Sequence, residues 1–240
     1  MIRGFYTSLS GIIASMTRQN IVADNIANVN TPGFKGSRST QADFGLTLAS
    51  SLGGTLGQLG TASLAVGMTL DQLQGPIETT TMPTDLAIEG DGLFVIRTAD
   101  GSLAYTRAGA FEVDMTHTLT TQLGEPVLDT AGRPIVVPGG ATSINVDPNG
   151  NVAGTGQRIA LVAVPAAGMS RRGNNTYAIT GQTTPATGQM RQGFLERSNV
   201  DLATSMTELI TIQRSFALSS RALSIQEATI GDANDVGRVR

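Results

Sequence analysis

Two long stretches, one at each end of the chain, place apolar residues at helical spacing, and the region between them does not. Near the start, Ile2, Phe5, Leu9, Ile12, Met16, Gln19, Ala23 and Ile26 follow one another at steps of three and four. This is the heptad pattern of a helix with one seam to bury, broken once by Gln19. Ile13 and Val22 widen the stripe. No proline interrupts it before Pro32, and Thr31-Pro32-Gly33 predicts its stop. At the other end Leu202, Met206, Leu209, Gln213, Phe216, Ser220, Leu223, Glu227 and Ile230 repeat at steps of four and three. Gln213, Ser220 and Glu227 are polar breaks, flanked by Ile210 and Ala217. Ser198 is the expected N-cap, with Asp201 returning the bond as in a capping box. Gly231 and the Asp-Ala-Asn-Asp run mark the expected end.

Between about Gly75 and Phe194 the period shifts toward two. Leu86–Ile88, Leu93–Arg97, Leu103–Thr106, Phe111–Val113, Pro134–Val137, Ser143–Val146, Ile159–Val164 and Thr176–Ile179 read as short strands. Turn signals separate them: Gly90-Asp91-Gly92, Asp100-Gly101, Pro138-Gly139-Gly140, Asn149-Gly150 and Asn174-Asn175. Asp100-Gly101 and Asn149-Gly150 are the strongest hairpin signals. Gly36 to about Val66, rich in Ser, Thr, Gly and Leu, shows no sustained period and reads as an extended connector; Leu46–Leu52 is open between a strand and a helical turn.

The predicted fold is α+β: N- and C-terminal helices forming a coiled-coil-type domain, with a central antiparallel all-β domain. The expected boundaries are 1–35 for the first helix, 36–74 for the connector, 75–194 for the β domain and 195–240 for the second helix. Each apolar stripe is wider than one partner helix can cover, which predicts self-association. Packing of both helices on the β domain satisfies the periodicity equally well.

Composition narrows the chemistry. The 240 residues carry a net charge of −3 and only 15% charged residues, with no basic run beyond Arg171-Arg172, so a general nucleic-acid surface is not expected. There is no cysteine, which removes disulfides, thiolate metal sites and thiol catalysis. The N-terminus does not read as a cleaved secretory signal, and no segment reaches the roughly 18 apolar residues of a membrane span. His117 is the only histidine and sits in a turn-like Asp114-Met115-Thr116-His117-Thr118 stretch, leaving no histidine pair for a metal and no second imidazole for proton transfer. Gly168-Met169-Ser170-Arg171-Arg172 lacks the last glycine of a nucleophile elbow. Asp147-Pro148-Asn149-Gly150-Asn151 has Val152 and Arg158 where a calcium loop needs Gly and Glu, and reads as a turn. Asp85, Glu89 and Asp91, around Gly90 and Gly92, read as a tight β turn rather than a cation site. No phosphate-loop or dinucleotide fingerprint is present. No enzyme activity, cofactor or small-molecule substrate is expected.

Three motifs carry a family resemblance. Asn25-Ile26-Ala27-Asn28-Val29-Asn30-Thr31-Pro32-Gly33-Phe34-Lys35, with Leu9-Ser10-Gly11 upstream, resembles the N-terminal signature of flagellar basal-body rod and hook proteins. Gly193-Phe194-Leu195-Glu196-Arg197-Ser198-Asn199-Val200-Asp201-Leu202 resembles their C-terminal signature. Asp85-Leu86-Ala87-Ile88-Glu89-Gly90-Asp91-Gly92-Leu93-Phe94 and Tyr105-Thr106-Arg107-Ala108-Gly109-Ala110-Phe111 are similar to the β-domain motifs of the proximal and distal rod class. The resemblance implies a rod subunit in the flagellar basal body, exported by the flagellar type III apparatus, which joins itself and other rod or hook subunits into a hollow torque-transmitting shaft. Phe5, Leu9, Ile12, Met16, Ala23, Ile26, Leu202, Met206, Leu209, Gln213, Phe216 and Leu223 would form its assembly interface. Asn25, Asn28, Thr31, Pro32, Gly33, Phe34, Ser198, Asn199 and Asp201 would be its motif residues. Where relatives commonly have Gly at position 117, this chain has His, a departure that costs stability if the turn needs positive φ. A hook or inner-rod subunit, or a ligand-binding β domain with helical ends, are the alternatives; a pocket of converging polar groups within 75–194 would favour the last.

Overall fold

The computed structural model describes residues 2–43, 63–138, 144–165 and 168–238. The expectations for Leu46–Leu52, Gly139-Gly140 and Ser143 lie outside the described residues, as do the side chains of Ile2, Phe5 and Ile230. The chain forms two compact units. One comprises Met1–Ala27, Ser37–Thr69 and Asp201–Arg240; the other comprises Asn28–Gly36 and Leu70–Val200.

The first unit holds helix α1 (Ile2–Ala27), strands β1 (Ser37–Asp43) and β2 (Ser63–Leu70), and helix α2 (Leu202–Arg238). α1 ends ahead of Thr31-Pro32-Gly33, where its stop is expected. The Thr31 N–H turns back to the Asn28 carbonyl at 3.1 Å, so an asparagine turn competes with the helix before proline can end it. The Asn25 amide accepts from the Ser37 N–H at 2.9 Å and donates to the Ser37 carbonyl at 2.8 Å, completing the backbone bonds of the first residue of β1. β1 and β2 pair in a two-stranded sheet, where the sequence predicts only a connector. β1 reads Ser-Arg-Ser-Thr-Gln-Ala-Asp and has no apolar alternation to betray it. Backbone pairing, the Thr40 hydroxyl bond to the Gly67 carbonyl at 3.1 Å and packing on α1 hold it instead.

The second unit is antiparallel. Its described strands are β3 (Ile77–Thr79), β4 (Leu86–Glu89), β5 (Leu93–Arg97), β6 (Leu103–Thr106), β7 (Phe111–Val113), β8 (Leu119–Thr121), β9 (Leu161–Ala163), β10 (Met169–Gly173), β11 (Thr176–Ile179), β12 (Thr184–Pro185), β13 (Gln189–Gln192) and β14 (Phe194–Glu196). Six form one sheet in the order β10-β11-β6-β5-β9-β12; β13 pairs with β4, β14 with β3, and β7 with β8. Leu86, Ile88, Phe94, Ile96, Phe111, Leu119, Val127, Ile135 and Ile159 pack in one buried cluster. Within it the Phe94 and Phe111 rings meet edge to face, 5.0 Å between centroids. Pro134–Val137 contributes isolated bridges rather than a strand, with Pro134 opposite Leu128 and Val136 opposite Thr118.

One turn recurs five times among the described residues of this unit. The first residue donates its N–H to the carbonyl four residues on, and its own carbonyl accepts from the N–H three residues on. This holds for Thr98/Ser102, Asp114/Thr118, Thr121/Glu125, Asp129/Arg133 and Asp147/Asn151. In three of the turns the leading aspartate also accepts the second and fourth following N–H groups, at 2.8–2.9 Å. The fourth residue is always left-handed: Gly101, Gly124, Gly132 and Gly150 at φ 75–84°, and His117 at φ 59°. The bulge needs this conformation, which costs a non-glycine residue about 1 kcal/mol. His117→Gly is therefore expected to stabilise the unit by about 0.5–1 kcal/mol. At about 2–4 °C per kcal/mol, thermal unfolding followed by circular dichroism resolves this. An unchanged or lower midpoint would mean that the imidazole offsets the backbone strain.

Candidate assembly interface and anchoring of the terminal motifs

α1 and α2 pack against each other. A side chain at Gly11 would touch the Ser219 hydroxyl at 3.6 Å, while Arg18, later in α1, pairs with Glu208, earlier in α2, at 3.1 Å. The helices are therefore antiparallel. Buried Ser15 and Val22 share the helical row of Gly11 and Arg18. On α2 the most covered row is Ser205, Leu209, Ile212, Phe216, Ser219, Leu223 and Gln226.

The expected seams are turned slightly relative to these rows. Leu209, Phe216 and Leu223 lie on the inner row of α2, but Ser205, Ile212 and Ser219 take the places expected for Met206, Gln213 and Ser220. Leu202, Met206 and Gln213 are exposed. On α1, Ile12, Gln19 and Ile26 are half-buried, and Leu9, Met16 and Ala23 are exposed. The inner faces use Gly11, Ser15, Ser205 and Ser219, small enough for two helix backbones to approach. Four large apolar side chains face outward: Ile13, Met16, Met206 and Ile210 are 49–53% exposed.

The start of α2 differs from expectation. Asp201, not Ser198, is the N-cap: its carboxylate accepts the Thr204 N–H at 2.7 Å. The Thr204 side chain and backbone together hold this carboxyl below the usual aspartate range. The Ser198 hydroxyl accepts the Val200 N–H at 3.2 Å, a local turn. Asn199 cannot join a helix because its side chain is engaged elsewhere. It accepts the Gly36 N–H at 2.7 Å and donates to the Asp71 and Leu73 carbonyls at 2.9 and 3.0 Å.

In the second unit the remaining motif residues fasten residues 28–36 to the β framework. The Gly33 N–H donates to the Glu196 carbonyl at 2.7 Å. Gly33 has φ 67°, and a Cβ there would lie 2.3 Å from the Arg107 backbone carbon. The Pro32 carbonyl accepts from the Asn175 amide at 2.8 Å, and the Thr31 hydroxyl bonds the Asn28 side chain at 3.2 Å. Phe34 is buried under the Arg171 guanidinium, 4.3 Å from its ring centroid, and the same guanidinium bonds the Lys35 carbonyl at 2.7 Å.

A buried charge cluster sits at the centre of this region. The Glu196 side chain is 1% exposed; its carboxylate meets Lys35 Nζ at 2.6 Å, Arg107 Nε at 2.5 Å and the Gly75 N–H at 2.9 Å. Lys35 also donates to the Leu73 carbonyl at 2.8 Å, and Arg107 to the carbonyls of Ile88 at 2.8 Å, Gly90 at 2.7 Å and Gly92. Burial pushes the Lys35 ammonium below its ordinary value, and Glu196 pulls it back up. All three residues lie within the sequence motifs, but nothing in the sequence joins them. The available signal was a charge beside apolar or small residues: Lys35 after Phe34, Arg107 before Ala108, and Glu196 after Leu195.

A cavity of about 320 Å³ is lined by Lys35, Gln72, Gln74, Arg107 and Met169 among others. It is near the lower limit of ligand pockets, and its two cations are already held by Glu196. Among the described residues no group of His, Cys, Asp and Glu is placed to hold a metal ion. Asp147 serves its turn, and Glu89 pairs with Arg191 at 3.5 Å.

Known families match in three places. The model described as flagella basal body rod protein covers residues 5–35, the flagellar hook protein FlgE/F/G D1 domain covers 87–154, and the flagellar basal body rod FlgEFG protein C-terminal region covers 191–236. The flagellar basal-body rod protein FlgG of Bacillus subtilis is 36% identical over 99% of this chain and 100% of its own length. The chain belongs to the flagellar basal-body rod protein family. FlgF of Rhizobium meliloti is 36% identical over 90% of both chains, and FlgF of Escherichia coli 31% over 98% of both. This rod protein is thus a structural subunit of the flagellar basal body. Each matched segment supplies one member of the buried cluster: Lys35 from the first, Arg107 from the second and Glu196 from the third.

Proposed function

We propose that this rod protein polymerises through its terminal helices, which act as a coiled-coil-type assembly domain and build a hollow shaft that carries torque. The observation that carries the reading is the outward placement of Ile13, Met16, Met206 and Ile210 on a helix pair whose inner rows mix small residues with Val22, Leu209, Ile212 and Phe216. Neighbouring copies and other rod or hook subunits are the natural cover for that apolar surface. Delivery by the flagellar type III export apparatus, and the absence of a catalytic role, belong to the same reading. The interface of this reading extends over Phe5, Leu9, Ile12, Met16, Ala23, Ile26, Leu202, Met206, Leu209, Gln213, Phe216 and Leu223, with Leu209, Phe216 and Leu223 serving the pair within one subunit as well.

The chain has no cysteine, so thiol cross-linking is clean. In a Met16→Cys/Met206→Cys variant treated with a short bis-maleimide in assembled basal bodies, a ladder of covalent multimers is expected. The Arg18–Glu208 pair brings these two positions near each other within one subunit, so a cross-link inside a monomer is also expected and only the multimers report neighbours. Only monomers, with both thiols freely alkylated, would overturn the assignment.

A further inference from the structure

We propose that Glu196 is a closing latch for the β unit, one that lets the unit reach its protected state only after the segment Phe194–Glu196 has docked. Three observations carry this. First, the Lys35 and Arg107 side chains are 5% and 4% exposed, and Glu196 is the carboxylate that meets both. Without it, Arg107 is left in the interior with carbonyl oxygens as its hydrogen-bond partners, and Lys35 with the Leu73 carbonyl and the more distant charge of Asp71. Burying an uncompensated charge is among the most destabilising single events in a fold. Second, Arg107 reaches the Ile88, Gly90 and Gly92 carbonyls, so its placement fixes the turn between β4 and β5 in the middle of the unit. Third, Glu196 lies near the C-terminal edge of the unit, which ends at Val200, and synthesis delivers it after nearly everything it closes on.

The latch thus acts at two levels. β14 pairs with β3, placing Glu196 opposite Ile77, which positions the carboxylate by backbone register. The carboxylate then neutralises one cation from residues 28–36 and one from the β framework. The Gly33 N–H on the Glu196 carbonyl and the Gly75 N–H on its carboxylate join the same closure. A chain whose C-terminal part has not arrived keeps the segment carrying Lys35 and the Arg107 side chain in water, where their charges are solvated.

Native-state hydrogen exchange on the full-length protein tests this without any substitution. The amides of β5, β6 and Phe194–Glu196 are expected to share one opening reaction. If Phe194–Glu196 open alone while β5 and β6 stay protected, the latch is overturned. Glu196→Gln is expected to raise the opening constant of β5 and β6 on the order of 100- to 1,000-fold. Adding Lys35→Met to Glu196→Gln is expected to recover at least about tenfold of that loss, although Lys35→Met alone weakens the unit. If the second substitution deepens the loss instead, packing rather than charge closes the unit, and the proposal fails.

Discussion

Ile210→Asp is expected to leave the subunit folded and to abolish its entry into rods. Ile210 is 52% exposed on the outer face of α2, so a carboxylate there remains hydrated in the free subunit. Exposed substitutions of this kind shift stability by about 0.5 kcal/mol or less. In the assembled state proposed above the same carboxylate would lie between apolar neighbours. Burying an unpaired carboxylate costs several kcal/mol, at least a 100-fold loss in association per contact. Every subunit carries the defect, so it recurs at each addition. The measurement is basal-body fractionation beside thermal unfolding of the purified chain, with Ile210→Leu as the control. Rods containing normal amounts of the Asp variant would show that this face is not an interface. Leu209→Asp, its neighbour in sequence, is a poorer probe. Leu209 lies on the inner row, and a charge there also breaks the helix pair within the subunit.

Gly33→Ala is expected to destabilise the β unit by about 3 kcal/mol or more. Two effects combine. The residue has φ 67°, which disfavours any Cβ, and the added carbon would lie 2.3–2.5 Å from three backbone atoms of Arg107 and Ala108. Backbone cannot swing aside as the tip of a long side chain can. Relief requires residues 32–35 to lift away, and that carries Lys35 off Glu196. Gly132→Ala separates the two effects, since Gly132 has φ 75° with nothing within 4 Å of the added carbon. It should cost only the backbone term, about 1 kcal/mol. Urea unfolding of the two variants reads the difference, and equal losses would mean that residues 32–35 yield without strain.

What the sequence made legible follows from how each element is held. β5, β6, β7 and β11 have the expected limits because each is a short run of apolar or β-branched residues closed by a turn. Asp100-Gly101 turns β5 into β6, and Asn149-Gly150 lies between bridged Val146 and Val152. Asn174 and Asn175, both at positive φ, turn β10 into β11. β1 escaped because hydrogen bonds rather than apolar alternation define it. β13 and β14 escaped for a different reason: Gln189-Met190-Arg191-Gln192 and Phe194-Leu195-Glu196 gain their strand form from distant partners, β4 and β3. The helices were visible as helices, but their rotation was not. Periodicity identifies an apolar face without saying which neighbour covers it, and here Gly11, Ser15 and Ser219 win the inner position by being small. The charge cluster was hidden because its members lie far apart in sequence, and only folding brings Lys35, Arg107 and Glu196 together.

The unequal lengths of the paired helices bear on mechanics. α1 has 26 residues and α2 has 37. Extending the antiparallel alignment of Gly11 with Ser219 sets the start of α1 beside roughly residue 228 of α2, so about 15 Å of α2 runs on beyond it. In the polymer proposed above, that projecting length overlaps an adjacent subunit in the manner of a scarf joint. A twisting load then passes as shear spread along side-by-side helices, rather than as tension at abutting ends. Shortening the projection turn by turn would weaken the shaft in proportion, well before it affected the fold of any one subunit.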